Sequence, residues 1–164
     1  MQAVPGEFYT HVAGRMELGG LNVCVDTNLF IAISNKEEDA EICKRIVRAI
    51  ESRALSACMS TIVVTEMLVG FFQKGEVSEA EKFLTNAQYF YEILPVTLNI
   101  AQIAARIRAE NKIKLPDAIL LATAKCASSD FLLSKDHPLQ KKDPIILSPQ
   151  EFARKYWSNT HPQG

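Results

Sequence analysis

Four acidic residues occupy positions where a buried helix or the end of a strand is expected. Asp26 directly follows the apolar run L-N-V-C-V, and Asp136 directly follows F-L-L-S-K. Binding sites in open α/β sheets form beyond the carboxyl ends of the strands, so an acid directly after a strand is a candidate site residue. Taken alone, each of these two acids is more often a turn former or a helix cap.

Two further acids lie within apolar helical patterns. Glu66 occurs in T-I-V-V-T-E-M-L-V-G-F-F, and helical spacing places it on one stripe with Ile62, Val63, Val69 and Gly70. We therefore expect Glu66 on the inward side of its helix or at the margin, where the alternative role is pairing with a Lys or Arg. Asp117 occurs in L-P-D-A-I-L-L-A-T-A, and its alternative role is that of a first-turn acid favoured by the helix dipole.

The four acids together indicate a cation site. Carboxylates that converge in one cleft repel each other, and without a counter-charge some would bind protons at neutral pH. Oxygen ligands favour Mg²⁺ or Mn²⁺. The sequence has no C-x-x-C pair, and His11, His137 and His161 are widely separated, so a thiolate or histidine zinc site is not indicated.

The surrounding pattern predicts alternating strands and helices. Strands are predicted at 21–25, 55–59, 91–96, 131–134 and 145–147. Helices are predicted at 38–54, 61–73, 78–90, 99–111, from 116 onward, and at 150–157. Ser78 and Glu81 are expected to form a capping box at the start of the helix 78–90. The order β-α-β-α-α-β-α-α-β-β-α predicts a mainly parallel sheet with helices on both faces.

Length and composition suit one domain that is neither strongly charged nor membrane-spanning. The chain has 164 residues, is 48% hydrophobic and carries a formal net charge of −1, which does not favour a general nucleic-acid coat. Its apolar runs are far shorter than the roughly 20 residues that cross a bilayer, and no signal peptide is indicated, so we expect a cytoplasmic protein. We assign 21–157 to a single domain, 1–20 to a flexible leader, a short ordered arm or an expression remnant, and 158–164 to a frayed tail.

Four motifs in order resemble one family. They are similar to motifs of the PIN-domain nucleases, most closely to those of small VapC-type toxins from toxin–antitoxin pairs, over about residues 22–152. The four motifs are V-D-T-N-L-F, S-T-I-V-V-T-E-M-L-V-G, L-P-D-A-I-L-L-A-T-A and F-L-L-S-K-D. The resemblance implies a three-layer α/β/α fold around a mainly parallel sheet of about five strands. It also implies that Asp26, Glu66 and Asp117 are metal ligands and that Asp136 completes the catalytic cluster.

The resemblance further implies a function and a set of partners. The expected activity is Mg²⁺- or Mn²⁺-dependent endoribonuclease cleavage, with a homodimer and a cognate antitoxin as assembly partners. Supporting site residues would be Thr27, Asn28 and Ser134. Basic residues near the motifs are candidate RNA contacts, although a solvated charged face is the plainer explanation for each: Lys112, Lys114, Lys135, Lys141 and Lys142. Two alternatives stay open, namely a PIN-like module that binds RNA or protein without cleavage, and a housekeeping RNA-processing nuclease.

Overall fold

The computed structural model describes residues 18–157. Its strands are β1 (Asn22–Val25), β2 (Ser56–Ser60), β3 (Glu92–Leu94), β4 (Phe131–Leu133) and β5 (Ile146–Leu147). Its helices are α1 (Thr27–Asn35), α2 (Ala40–Glu51), α3 (Thr61–Gln73), α4 (Val77–Phe90), α5 (Leu98–Asn111), α6 (Leu115–Cys126), α7 (His137–Gln140) and α8 (Pro149–Trp157).

The five strands form one sheet in the order β3-β2-β1-β4-β5, and all neighbouring strands are parallel. The register places Cys24 opposite both Cys58 of β2 and Leu132 of β4. The chain moves from β1 to β2 on one side, and β4 later joins β1 on the other side. The strand order therefore reverses at β1, and this is the point at which parallel sheets place ligand sites.

Helices cover both faces of the sheet and give a three-layer α/β/α fold. Helices α5 and α6 pack together, and α6 lies against β1, β2 and β4, while α1 packs against α2 and α3, and α2 also packs against α8. The β1 residues Val23, Cys24 and Val25 are fully buried, as parallel strands covered on both faces require. Between residues 18 and 157 there is no helix with the length and apolar character that crossing a membrane requires.

The strand predictions are confirmed to within two residues at each end, but two helices were not predicted. Helix α1 follows β1 after one residue, and its apolar sequence T-N-L-F-I-A-I-S-N lacks a clear polar face. It ends where Lys36 adopts a left-handed conformation with φ 54°. Helix α7 has only four residues and is capped by the Asp136 side chain, so no periodicity could indicate it.

Helix α2 is shorter than predicted, and the capping box predicted for α4 is absent. Helix α2 covers only residues 40–51 of the predicted 38–54, because Asp39 takes its N-cap position and Ser52 its C-cap position. Helix α4 begins at Val77 with Glu76 at the N-cap, and its N-cap has no side-chain hydrogen bond. The capping box predicted for Ser78 is therefore not formed.

The predicted termini lie largely outside the described residues. The tail 158–164 and positions 1–17 of the predicted leader are not among them. The last part of the predicted leader, residues 18–20, forms a turn, and Leu18 is 3% exposed in the hydrophobic core. The packed domain therefore includes residue 18 and does not begin at 21.

Candidate active site

The carboxyl ends of the two central strands bring Asp26 and Asp136 to one edge of the sheet. Val25 is paired with Leu133 in the register of β1 and β4, and the Asp26 N–H donates to the Leu133 carbonyl oxygen at 3.1 Å. Ser134 and Asp136 follow β4 directly, so they reach the same edge. This geometry agrees with the prediction that both strand-end acids lie beyond the carboxyl ends of the strands.

Helix α3 brings Glu66 to the same edge, but on a more exposed face than the apolar pattern predicted. Its buried stripe consists of Val63 and Met67, whereas Val69 is 46% exposed and Glu66 is also exposed. Of the two expected places, Glu66 therefore lies at the margin of the buried stripe, one position from Met67, and not on its inward side. The Thr27 hydroxyl donates to Glu66 Oε2 at 2.5 Å, which fixes the carboxylate beside the start of α1.

A hydrogen-bond network holds the Asp26 carboxylate. Its Oδ2 accepts from Ser134 Oγ at 2.7 Å and from Asn28 Nδ2 at 2.9 Å. The Asn28 amide also donates to Ser134 Oγ at 3.1 Å, and the Asp136 N–H donates to the same oxygen at 3.2 Å. Ser134 thus connects the two strand-end acids.

Burial makes the charge on Asp26 costly. The residue is 7% exposed, and its pKa rises from 3.8 to about 6, chiefly because burial removes the carboxylate from water. The hydrogen bonds from Ser134 and the Thr27 backbone lower the pKa, whereas the charges of Glu66 and Asp117 raise it. The acids are thus close enough to repel each other, and the ionised form of Asp26 is destabilised at neutral pH.

Asp117 lies in the first turn of α6 and differs from Asp136 in its surroundings. Partial burial, followed by the charges of Asp136 and Glu66, raises the pKa of Asp117, while Lys114 lowers it. Within residues 18–157 the Asp117 carboxylate receives no hydrogen bond and no ion pair. In contrast, Asp136 Oδ1 accepts from the Leu139 N–H at 2.9 Å and caps α7. Among the four acids, Asp117 is therefore the one with both carboxylate oxygens unengaged in the described part of the chain.

The donor set fits a hard divalent cation, although the side chains do not form a finished cage. No group of three or more His, Cys, Asp or Glu side chains in the described part of the chain is arranged to hold a metal ion as it stands. The four acids nevertheless supply only oxygen donors, which Mg²⁺ and Mn²⁺ prefer. A cation among them would also offset the repulsion that raises the pKa values of Asp26 and Asp117.

The predicted RNA-contact lysines fall into two groups. Lys112 and Lys114 are exposed in the connection from α5 to α6, next to Asp117, and Lys141 and Lys142 are exposed just after α7. Lys135 is different, because its ammonium group forms ion pairs with Glu37 and Asp39. The first four side chains are open to solvent, and Lys114 is close enough to Asp117 to lower its pKa, whereas the Lys135 side chain is already engaged.

Sequence reasoning missed the residues that support the loop after β4. Asp39 is 6% exposed and accepts from Gln150 Nε2 at 2.9 Å, and Gln140 Nε2 donates to the Ser134 carbonyl oxygen at 2.8 Å. Asp39 and Gln150 are 111 positions apart in the sequence and belong to no shared motif. No periodicity or capping signal in the sequence could have linked them to the site.

Comparisons with known proteins agree with this fold. The chain is similar to a chain of a toxin–antitoxin complex from Klebsiella pneumoniae, with 25% identity and a TM-score of 0.63 over 77% of this chain and 97% of that chain. It is also similar in fold to a chain of FitAcB from Neisseria gonorrhoeae, with 22% identity and a TM-score of 0.64 over 78% of this chain and 98% of that chain.

A sequence relative and a family match complete the comparison. An uncharacterized protein of Archaeoglobus fulgidus is 37% identical over 59 residues, which is 36% of this chain and 93% of that protein. The PIN-domain pattern matches residues 23–143, a range that contains Asp26, Glu66, Asp117 and Asp136. The chain therefore belongs to the PIN-domain family.

Proposed function

We propose that this protein is a metal-dependent endoribonuclease that hydrolyses RNA phosphodiester bonds at the Asp26, Glu66, Asp117 and Asp136 site. The observation that carries the proposal is the meeting of four acids at the strand-order reversal, where the pKa values of Asp26 and Asp117 are raised. Membership of a family of nucleases supports the same reaction class. Mg²⁺ or Mn²⁺ is the cation that this oxygen donor set favours.

The carboxylates of Asp26, Glu66, Asp117 and Asp136 would hold the cation. When bound, the divalent cation would supply Lewis-acid activation of water and neutralise charge on the phosphate oxygens. Ser134 and Asn28 orient the Asp26 carboxylate through Oδ2, and Thr27 orients Glu66. These fixed hydrogen bonds preorganise the donors, and preorganised groups make the largest contribution to many enzymatic rate enhancements.

Asp117 is the best candidate for proton acceptor in the reaction. Its oxygens have no hydrogen-bond donor within residues 18–157, so one oxygen can face the cation while the other accepts a proton. Asp136 is a poorer candidate, because its Oδ1 accepts the Leu139 N–H. Attack of water on phosphorus, with one of its protons taken by Asp117, would break the bond between phosphorus and the 3′-oxygen. The departing oxygen would take a proton from solvent, which leaves a 5′-phosphate and a 3′-hydroxyl.

Exposed lysines would balance the acidic cleft for a polyanion. Lys112 and Lys114 precede Asp117 in sequence, and Lys141 and Lys142 follow the helix that Asp136 caps. Contacts between these lysines and RNA phosphates would make binding weaker at high salt.

We further propose that the protein is the toxin of a toxin–antitoxin pair that acts in the cytoplasm, with a cognate antitoxin as partner. The likeness to a chain of a Klebsiella pneumoniae toxin–antitoxin complex supports this role. A homodimer is also proposed, because Val69 and Phe72 on α3 leave 46% and 56% of their surface exposed. Apolar side chains exposed together on one helix suit a protein–protein contact.

Sequencing of RNA ends tests the nuclease proposal. Cells expressing the wild type should contain new 5′-phosphate ends that are absent with Asp117→Asn. Asp130→Asn is the matched control, since Asp130 precedes β4 at the opposite edge of the sheet, where it accepts from the Asn22 N–H at 2.8 Å. Identical fragment ends in the wild type and in Asp117→Asn would refute RNA cleavage and favour a binding module.

A further inference from the structure

The side chain of Lys135 connects the loop after β4 to the loop between α1 and α2. Its Nζ lies 2.7 Å from Asp39 Oδ1 and also contacts Glu37 Oε2. The second oxygen of Asp39 accepts from Gln150 Nε2 at 2.9 Å, so both oxygens of this buried carboxylate are used. Partial burial opposes the charge on Lys135, but the hydrogen bonds with Asp39 and Glu37 outweigh it and raise the Lys135 pKa.

The main chain of Lys135 contacts the acidic site directly. Its N–H donates to Asn28 Oδ1 at 3.1 Å. Because this bond occupies the amide oxygen, the Asn28 Nδ2 group is directed to Asp26 Oδ2 at 2.9 Å and to Ser134 Oγ at 3.1 Å. The position of the Lys135 backbone thus sets the orientation of the amide that holds Asp26.

We propose that Lys135 is a positioning residue, whose ion pairs with Glu37 and Asp39 hold the loop after β4 so that Asn28 and Ser134 orient Asp26. The inference rests on the proposed function and replaces the expectation that Lys135 contacts RNA. An exposed ion pair would contribute little to this task. Here, however, Asp39 is only 6% exposed, so loss of Lys135 leaves a buried carboxylate without its cation and forces the two loops to rearrange.

The test separates catalysis from RNA binding. Lys135→Met, Asp39→Ala and Lys135→Arg are compared with the wild type, using a fluorescein-labelled single-stranded RNA. The Kd for this RNA is measured in EDTA, and cleavage of the RNA is measured with Mn²⁺. We expect Lys135→Met and Asp39→Ala each to lower kcat by about 10- to 100-fold, because misplaced catalytic groups reduce the rate of the chemical step. The Kd for RNA and its salt dependence should stay within about twofold of the wild-type values. Lys135→Arg should recover most of the kcat.

Two comparisons make the expected pattern specific. The double variant Lys135→Met/Asp39→Ala should lose no more activity than the worse single variant, because both changes break one connection. Lys82→Met is the matched control, since Lys82 pairs with Glu79 on the exposed surface of α4, away from the acids, and should retain full kcat. A weaker Kd and a smaller salt slope for Lys135→Met, with kcat retained, would overturn the proposal and restore the RNA-contact role.

A readout without RNA keeps this inference distinct from the proposed function. In NMR spectra of the metal-free protein, the Asn28 side-chain amide should shift in Lys135→Met and in Asp39→Ala but not in Lys82→Met. If the wild type cleaves no RNA while the amide shifts, the nuclease proposal fails and the positioning role stands. If the amide is unchanged in both folded variants, the positioning role fails whatever the activity.

Discussion

Replacement of Asp26 by Asn should stabilise the metal-free protein while it removes activity. The Asn28 and Ser134 bonds both reach Oδ2, and the carbonyl oxygen of Asn could accept them in the same way. The rise of the Asp26 pKa from 3.8 to about 6 corresponds to about 3 kcal/mol, since one pKa unit is worth about 1.4 kcal/mol. This free energy is the cost of keeping Asp26 ionised in the folded protein above pH 6.

The sign of the pH dependence follows from the raised pKa. Below pH 3.8 Asp26 is protonated in both the folded and the unfolded state, so the wild type carries no penalty there. As the pH rises through about 6, the unfolded chain loses this proton first and the folded protein becomes less stable. Asp26→Asn removes the group that titrates. The gain in free energy of unfolding of this variant over the wild type should therefore be absent at pH 3.5 and fully developed at pH 7.5.

Urea unfolding in EDTA measures this difference. At pH 7.5 the free energy of unfolding of Asp26→Asn should exceed that of the wild type by about 1 to 3 kcal/mol, and Tm should rise by several degrees. Asp130→Asn, an exposed acid at the other edge of the sheet, should change stability by less than about 0.5 kcal/mol. Equal or lower stability of Asp26→Asn at pH 7.5 would refute the view that a buried, repelled carboxylate occupies this position.

Three further predictions concern the site and the assembly. Ser134→Ala should lower Mn²⁺-dependent cleavage by about 10-fold or more, because Asp26 loses one donor of its orienting network, and full activity in a single-turnover assay would contradict this role. Lys112→Ala/Lys114→Ala should weaken RNA binding and reduce the slope of log Kd against log salt by about 1, whereas an unchanged slope would exclude phosphate contacts. Phe72→Glu should convert the proposed homodimer to a monomer in light scattering, and an unaltered mass would show that α3 is not the interface.

Most of the fold could be predicted from the sequence because the strongest sequence signals for strands and helices are local. Each strand is a short apolar run bounded by turn residues, and Pro116 marks the start of α6. Helix α1 was missed because its residues are apolar on most sides, so no polar face reveals the helical period. The exposure of Glu66 could not be derived either, since the stripe that a helix buries depends on its rotation against the sheet.

Contacts between distant residues explain what the sequence could not provide for the site. The order of the motifs indicated the four acids, but Lys135 was assigned to RNA because its charge was read without its partners. Glu37 and Asp39 belong to the loop between α1 and α2, and Gln150 belongs to α8, so the network exists only after folding. Capping of α7 by Asp136 is likewise a property of the folded loop.

Mn²⁺ binding measured by calorimetry at pH 7.5 tests most directly whether the four acids form one cation site. The wild type should bind Mn²⁺ more tightly at pH 7.5 than at pH 5, because at the lower pH protons compete with the cation for Asp26, whose pKa is raised to about 6. Asp26→Asn and Asp117→Asn should each weaken binding by about 10-fold or more, while Asp130→Asn should bind as the wild type does. Equal Mn²⁺ affinity in the wild type, Asp26→Asn and Asp117→Asn would contradict the account.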